Sequence, residues 1–139
     1  MKFRYLVAAG LLDTSGKMVK RPVVMLELKT VGGQILEVPA WIDSGADRTM
    51  VNMEYAEQLG ITLGKSQLAR GIGRGTAETK IAHLPFKIKS TDIELDVPAS
   101  YIDSENVTIL LGQEVFFDHF RIIFDKSKET FELIRVNKD

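Results

Sequence analysis

A chain of 139 residues is the length of one domain and long enough to bury a sizeable core, so it needs no disulfide or metal to fold. Eighteen basic residues against nineteen acidic ones leave a formal charge of −1, which gives no general attraction to nucleic acid or to an anionic membrane. With no cysteine and only two histidines, His83 and His119, the chain lacks thiol nucleophiles and thiolate metal sites. Both histidines flank apolar runs and read as structural or surface residues, so carboxylate chemistry is the class with enough candidates.

The opening Met1-Lys2-Phe3-Arg4 and the apolar run Tyr5–Leu12 are too short for a secretion signal, and Asp13 ends the run without a small-residue cleavage site. They read as a strand. No stretch approaches the roughly 18–20 apolar residues that span a bilayer, and the absence of cysteine is compatible with the cytoplasm. Short strands separated by turn residues then predict an all-β fold. Phe3–Leu12 and Met18–Lys29 flank the turn Asp13-Thr14-Ser15-Gly16-Lys17, a first hairpin. Val24, Leu26 and Leu28 form one apolar strand face, opposite Val23, Met25, Glu27 and Lys29. Gly32-Gly33 marks a turn, and a strand over Gln34–Ile42 runs into Asp43-Ser44-Gly45.

Asn52 is placed to cap a helix that Gly60 ends, with Met53, Ala56 and Leu59 on one face. Ile61–Leu68 precedes the glycine-rich stretch Gly71-Ile72-Gly73-Arg74-Gly75, and strands follow at Glu78–Lys89 and Ile93–Ile102. Leu110-Leu111-Gly112 leads into an expected helical segment, Gln113–His119. Phe120–Asp125 and Thr130–Val136 make a last hairpin around Lys126-Ser127-Lys128-Glu129. Phe116, Phe117, Phe120 and Phe124 read as packing residues. The expectation is one domain over residues 1–139, with residues 1–18 as an added hairpin.

An acid placed where an apolar strand breaks into small residues is rigidly held yet accessible, and Gly45 lets another backbone approach closely. Ile42-Asp43-Ser44-Gly45-Ala46-Asp47-Arg48-Thr49, the later Gly71–Gly75 stretch and Leu110-Leu111-Gly112 occur in that order. Together they resemble the active-site loop, flap and late apolar-glycine landmark of the retropepsin-like aspartic peptidases, over about Val19 to Val136. The resemblance implies a closed β-barrel with one or two short helices, working as a homodimer on peptide or protein substrates. It implies that Asp43, with Ser44 and Gly45, forms the catalytic loop. Ala46 and Asp47 would line the substrate cleft, and Gly71, Ile72, Gly73, Arg74 and Gly75 would cover it. Leu110-Leu111-Gly112 would pack beneath the catalytic loop. No metal and no organic cofactor are implied, and neither nucleic acid nor membrane is an expected partner.

Two departures stand out. The family often has Arg after the later glycine, paired with the acid at the Asp47 position; here Gln113 stands there, and Arg48 is the candidate replacement. The added hairpin is the other. A second aspartate within the chain would have to be Asp13, but Leu12-Asp13-Thr14-Ser15-Gly16 reads as a turn. The competing function is an inactive dimeric β-barrel that binds peptides or proteins. Release from a larger polyprotein is a third reading, against which the Met1 start is set.

Overall fold

The computed structural model describes residues 1–70 and 76–136. Its strands are β1 (Lys2–Arg4), β2 (Leu6–Leu12), β3 (Met18–Arg21), β4 (Val23–Lys29), β5 (Ile35–Ile42) and β6 (Thr49–Asn52). After the helix α1 (Glu54–Leu59) come β7 (Ser66–Arg70), β8 (Thr76–Ile88), β9 (Glu94–Ile102), β10 (Ile109–Leu111), β11 (Phe120–Asp125) and β12 (Thr130–Arg135). The expected all-β fold is what the chain adopts.

The largest sheet runs β4-β5-β10-β6-β9-β8, and β8 pairs again with β4, so six strands close into a barrel. Closure leaves no open edge within the ring; β7 continues outward from β8. Alternation accounts for the interior. In β4, Val24, Leu26 and Leu28 point inward and are fully buried, as the apolar face of that strand predicts. In β5, Val38, Ala40 and Ile42 are buried while Pro39 and Trp41 face out. Leu84, Ile88, Val97, Ala99, Leu111 and Phe116 complete the centre of the core. Each aliphatic side chain of this kind contributes about 1.5–3 kcal/mol when buried.

The N-terminal segment departs from the expected single strand. Lys2–Arg4 pairs with β12, giving a three-stranded sheet β1-β12-β11, because Phe3 stacks on Phe131 with ring centroids 5.1 Å apart. Only Leu6–Leu12 joins Met18–Arg21 in a hairpin. The long second strand breaks at Pro22, which has no N–H to give a ladder and whose carbonyl accepts from Ile42 N at 3.1 Å.

At α1, Asn52 Oδ1 accepts from Glu54 N at 3.0 Å, and its amide donates to the Ser104 and Val107 carbonyls, both at 2.9 Å. The helix ends at Gly60 in the left-handed region at φ 66°, where a Cβ would lie 2.5 Å from Val31 Cγ1. The expected helical segment Gln113–His119 is only a turn followed by a short 3-10 stretch, Phe117–His119. Val115 at φ 68° interrupts it, a conformation costly for a β-branched residue. No helix among the described residues is long and apolar enough to cross a membrane.

Candidate active site

Strand β5 delivers Asp43 to the rim of the barrel. Ile42 is buried, and Asp43 N donates to Leu111 O at 3.0 Å, extending the parallel pairing of Leu110 with Trp41 and Leu111 with Ile42. The chain then turns sharply. Gly45 N donates to Asp43 Oδ1 at 2.9 Å and Ala46 N to Asp43 O at 3.2 Å. The half-buried carboxylate is thus oriented by its own loop through Oδ1, and Oδ2 has no partner among the described residues. A Cβ on Gly45 would sit 3.2 Å from Asp43 Oδ1, so a larger residue there would crowd the carboxylate.

Residues more than sixty positions later hold this loop. Gln113 N donates to Ala46 O at 2.8 Å and Glu114 N to Asp47 O at 2.9 Å. Gly112 N donates to Oγ1 of the fully buried Thr49 at 3.2 Å, and Gln113 Nε2 donates to Ser44 O at 2.8 Å. A Cβ at Gly112 would lie 2.6 Å from the Arg48 carbonyl and 2.7 Å from Ala46 O, so only glycine fits. Two of the three sequence landmarks are therefore one physical unit, with Leu110-Leu111-Gly112 against residues 43–49.

Arg48 does not replace the missing arginine. Its guanidinium goes to Glu114 Oε2 at 3.0 Å and Gln67 Oε1 at 2.9 Å. Asp47 is exposed and has no ion pair among the described residues. The place left by the arginine is used by Gln113, which holds a carbonyl of the loop instead of a carboxylate. Thr49 and Gln113 are supporting residues to which the sequence reading assigned no such role. The signal for Thr49 was its place two residues after Asp47, at the start of a strand. Trp41, two residues before Asp43, lies under the Arg21 guanidinium, 4.0 Å from the ring centroid.

The stretch Gly71, Ile72, Gly73, Arg74 and Gly75 lies outside the described residues. The strands on either side of it are antiparallel partners, from Ser66 opposite Lys80 to Arg70 opposite Thr76.

Asp13 has a different environment. Its Oδ1 accepts from Ser15 Oγ at 2.6 Å, Ser15 N at 2.8 Å and Lys17 N at 3.0 Å. The Ser15 hydroxyl, followed by the Lys17 amide, holds this carboxyl below the usual carboxylate range. It is the anchor of a hairpin turn. His83 Nδ1 lies 2.8 Å from Asp96 Oδ1, and His119 Nδ1 lies 2.8 Å from Val115 O, both on the surface. Among the described residues no group of three or more His, Asp or Glu side chains is placed to hold a metal ion.

The sequence profile of the aspartyl protease family matches residues 29–115, more than half of the chain, from the end of β4 through Gly112. No curated protein sequence matches the chain. Among solved structures, the retroviral protease-like domain of Ddi1 from Leishmania major is similar at 18% identity and TM-score 0.55, over 86% of this chain and 92% of that one. A retropepsin-like aspartic protease from Rickettsia conorii is similar at 13% identity and TM-score 0.57, over 96% of this chain and 98% of that one. A closed barrel whose rim carries an Asp-Ser-Gly loop thus has its counterparts in the retropepsin-like fold, and this chain belongs to the aspartyl protease family.

Proposed function

We propose that the chain is an aspartic endopeptidase that works as a homodimer, its active site completed by two copies of Asp43. The observation that carries this reading is the Asp43 loop itself: a half-buried carboxylate at the barrel rim, oriented by Gly45 N and buttressed from residues 111–114. Peptide hydrolysis by this chemistry needs one ionised carboxylate to take a proton from water and one protonated carboxylate to polarise the scissile carbonyl. Two like charges about 3 Å apart do not both ionise easily, as in the well-known aspartic protease pair. Asp13 is committed to its turn, so the second carboxylate is assigned to Asp43 of a partner across a two-fold axis.

In the proposed reaction, the ionised Asp43 removes a proton from water as the water oxygen bonds to the carbonyl carbon. The protonated Asp43 gives its proton to the carbonyl oxygen, forming a neutral tetrahedral diol. Collapse of the diol breaks the C–N bond, with a proton passed to the leaving nitrogen. Ser44 and Gly45 complete the catalytic loop, and Ala46 and Asp47 bind the extended substrate backbone. Gly71, Ile72, Gly73, Arg74 and Gly75 close over the substrate, whose side chains enter apolar pockets. Residues 1–139 act as one domain in this reading, with no metal or organic cofactor.

A second reading, an inactive dimeric barrel that binds peptides or proteins, is favoured by one observation: among the described residues Asp47 has no ion partner of the kind that the family commonly supplies. Cleavage of a mixed peptide library, read by mass spectrometry from about pH 4 to 7, tests both. Cuts made by the native protein and lost in Asp43→Asn support the peptidase; a folded dimer that binds peptides without cutting them supports the binder.

A further inference from the structure

The hairpin β2–β3 is attached to the barrel without joining its sheet. Its ladder pairs only with itself, and the register shifts between Val7 and Leu12, where Gly10 takes φ 81°. A two-stranded ribbon is marginally stable in water, and a broken register weakens it further. An exposed ion pair from Lys20 to Glu129 at 3.6 Å is a weak tether. Yet the ribbon carries Leu6, Val7, Leu11, Leu12 and Met18 in exposed positions, with Leu12 at 65% and Met18 at 60% of full exposure. Between it and the outer face of β5 lies a groove of about 270 Å³ walled by Pro39 and Trp41. A surface of this kind is expected to be covered.

Its position identifies the cover. Arg21 leads through Pro22 to Val23, which pairs with Trp41, so the root of the ribbon stands at the Asp43 end of β5. Trp41 precedes Asp43 by two residues, about 7 Å of strand. An axis that relates two Asp43 carboxylates therefore passes close to this root. The loop over residues 43–48 cannot hold a dimer unaided, since a stable interface draws on about 20–30 residues a side. The ribbon adds a contiguous apolar surface where more contact is needed.

We propose that β2–β3 is a dimerisation arm whose apolar surface, with the groove along Pro39 and Trp41, is covered by a second copy of this chain. The inference rests on the homodimeric reading of the active site. It goes further by assigning a hairpin that lies outside residues 29–115, the part that the family profile covers.

The test is sedimentation velocity across micromolar concentrations on the full chain, its Leu12→Asp/Met18→Asp variant, the milder Leu12→Ser, and Ile123→Asp on β11. Thermal melts confirm that each variant is folded. The native chain is expected to be a dimer. The double variant is expected to raise the dissociation constant about 100-fold or more, Leu12→Ser to raise it less, and Ile123→Asp to leave it unchanged. A dimer that ignores the hairpin changes, or that separates with Ile123→Asp instead, overturns the arm and leaves the Asp43 pairing standing. A native chain that is monomeric while cutting peptides in an Asp43-dependent way overturns the arm and the homodimer together.

Discussion

The side-chain amide of Gln113 donates to the main-chain carbonyl of Ser44 at 2.8 Å, joining the residue after Gly112 to the residue after Asp43. Gln113→Ala removes this brace and Gln113→Glu sets an acceptor against an acceptor. Peptide cleavage is expected to fall about 2–10-fold for Ala, from the roughly 0.5–1.5 kcal/mol of such a bond, and further for Glu. Gln113→Arg offers Asp47 an ion partner of the kind common in the family and is expected to keep activity. Steady-state rates beside melting curves separate a loosened loop from a destabilised barrel.

Gly112 and Thr49 form the buried half of the same support. Thr49→Val keeps the shape but leaves the Gly112 N–H without an acceptor, costing about 1–3 kcal/mol. Thr49→Ser retains the oxygen and is expected to recover most of the loss. Gly112→Ala drives a methyl into the Arg48 and Ala46 carbonyls and is expected to displace the loop, with activity lost before the fold is. Chemical denaturation and peptidase assays on the three variants check this.

Tyr101 is fully buried and its hydroxyl donates to His83 O at 2.8 Å. Burial, then the nearby Asp96 charge, pushes its phenol well above the ordinary value of 10.0. The folded state keeps its proton longer than the unfolded chain does. Tyr101 therefore contributes stability that is fully present below about pH 10 and declines as pH rises above it. Tyr101→Phe is expected to cost about 1 kcal/mol near neutrality and to flatten the alkaline fall in stability, as read by urea unfolding at several pH values.

Asp13 and Asp125 behave in the opposite sense. The Ser15 hydroxyl and Lys17 amide lower the first, and the Ser127 hydroxyl lowers the second. Their contributions are complete above the unfolded carboxylate value of about 3.9 and vanish as pH falls through the lower folded values. These two turns should therefore hold across pH 4 to 7 in the peptidase assay. Circular dichroism melts between about pH 2 and 5 are expected to show a weaker acid-induced loss in Asp13→Asn/Asp125→Asn, since both carboxylates titrate there.

Much of this was legible in the chain before any fold was known. The apolar alternation of Val24, Leu26 and Leu28 and the Asp13 turn follow from local chemistry and stand in the structure as read, whereas the Asp43 loop was picked out by its resemblance to a family motif. What was hidden depends on distant partners. Ile109–Leu111 is too short to signal a strand, yet it pairs parallel to β5 and antiparallel to β6, placing Gly112 under the loop. Thr49–Asn52 is a strand for the same reason, lying parallel to β9. The break of the first strand at Tyr5 needs Phe131, from the other end of the chain, to explain it. Helical spacing after Gly112 was overridden by Val115 at φ 68°, which local propensity cannot foresee. The use of Gln113 in place of arginine needed the Ser44 carbonyl to be seen.

The ring of six strands is fastened very unevenly. Strands β8 and β9 run together from Thr79 opposite Ile102 to Lys87 opposite Glu94, whereas β4 and β8 meet only at Leu26 with Ile88 and Glu27 with Lys87. That narrow clasp hides two side chains with no exposure at all, Leu26 and Ile88. Deuterium should reach amides of the clasp, such as Lys89 N bound to Met25 O, sooner than those midway along β8 and β9. The seams of β10 with β5 and with β6 are just as short, so the lifetime of the protein among proteases is set by how often these seams part, long before the ring as a whole comes undone.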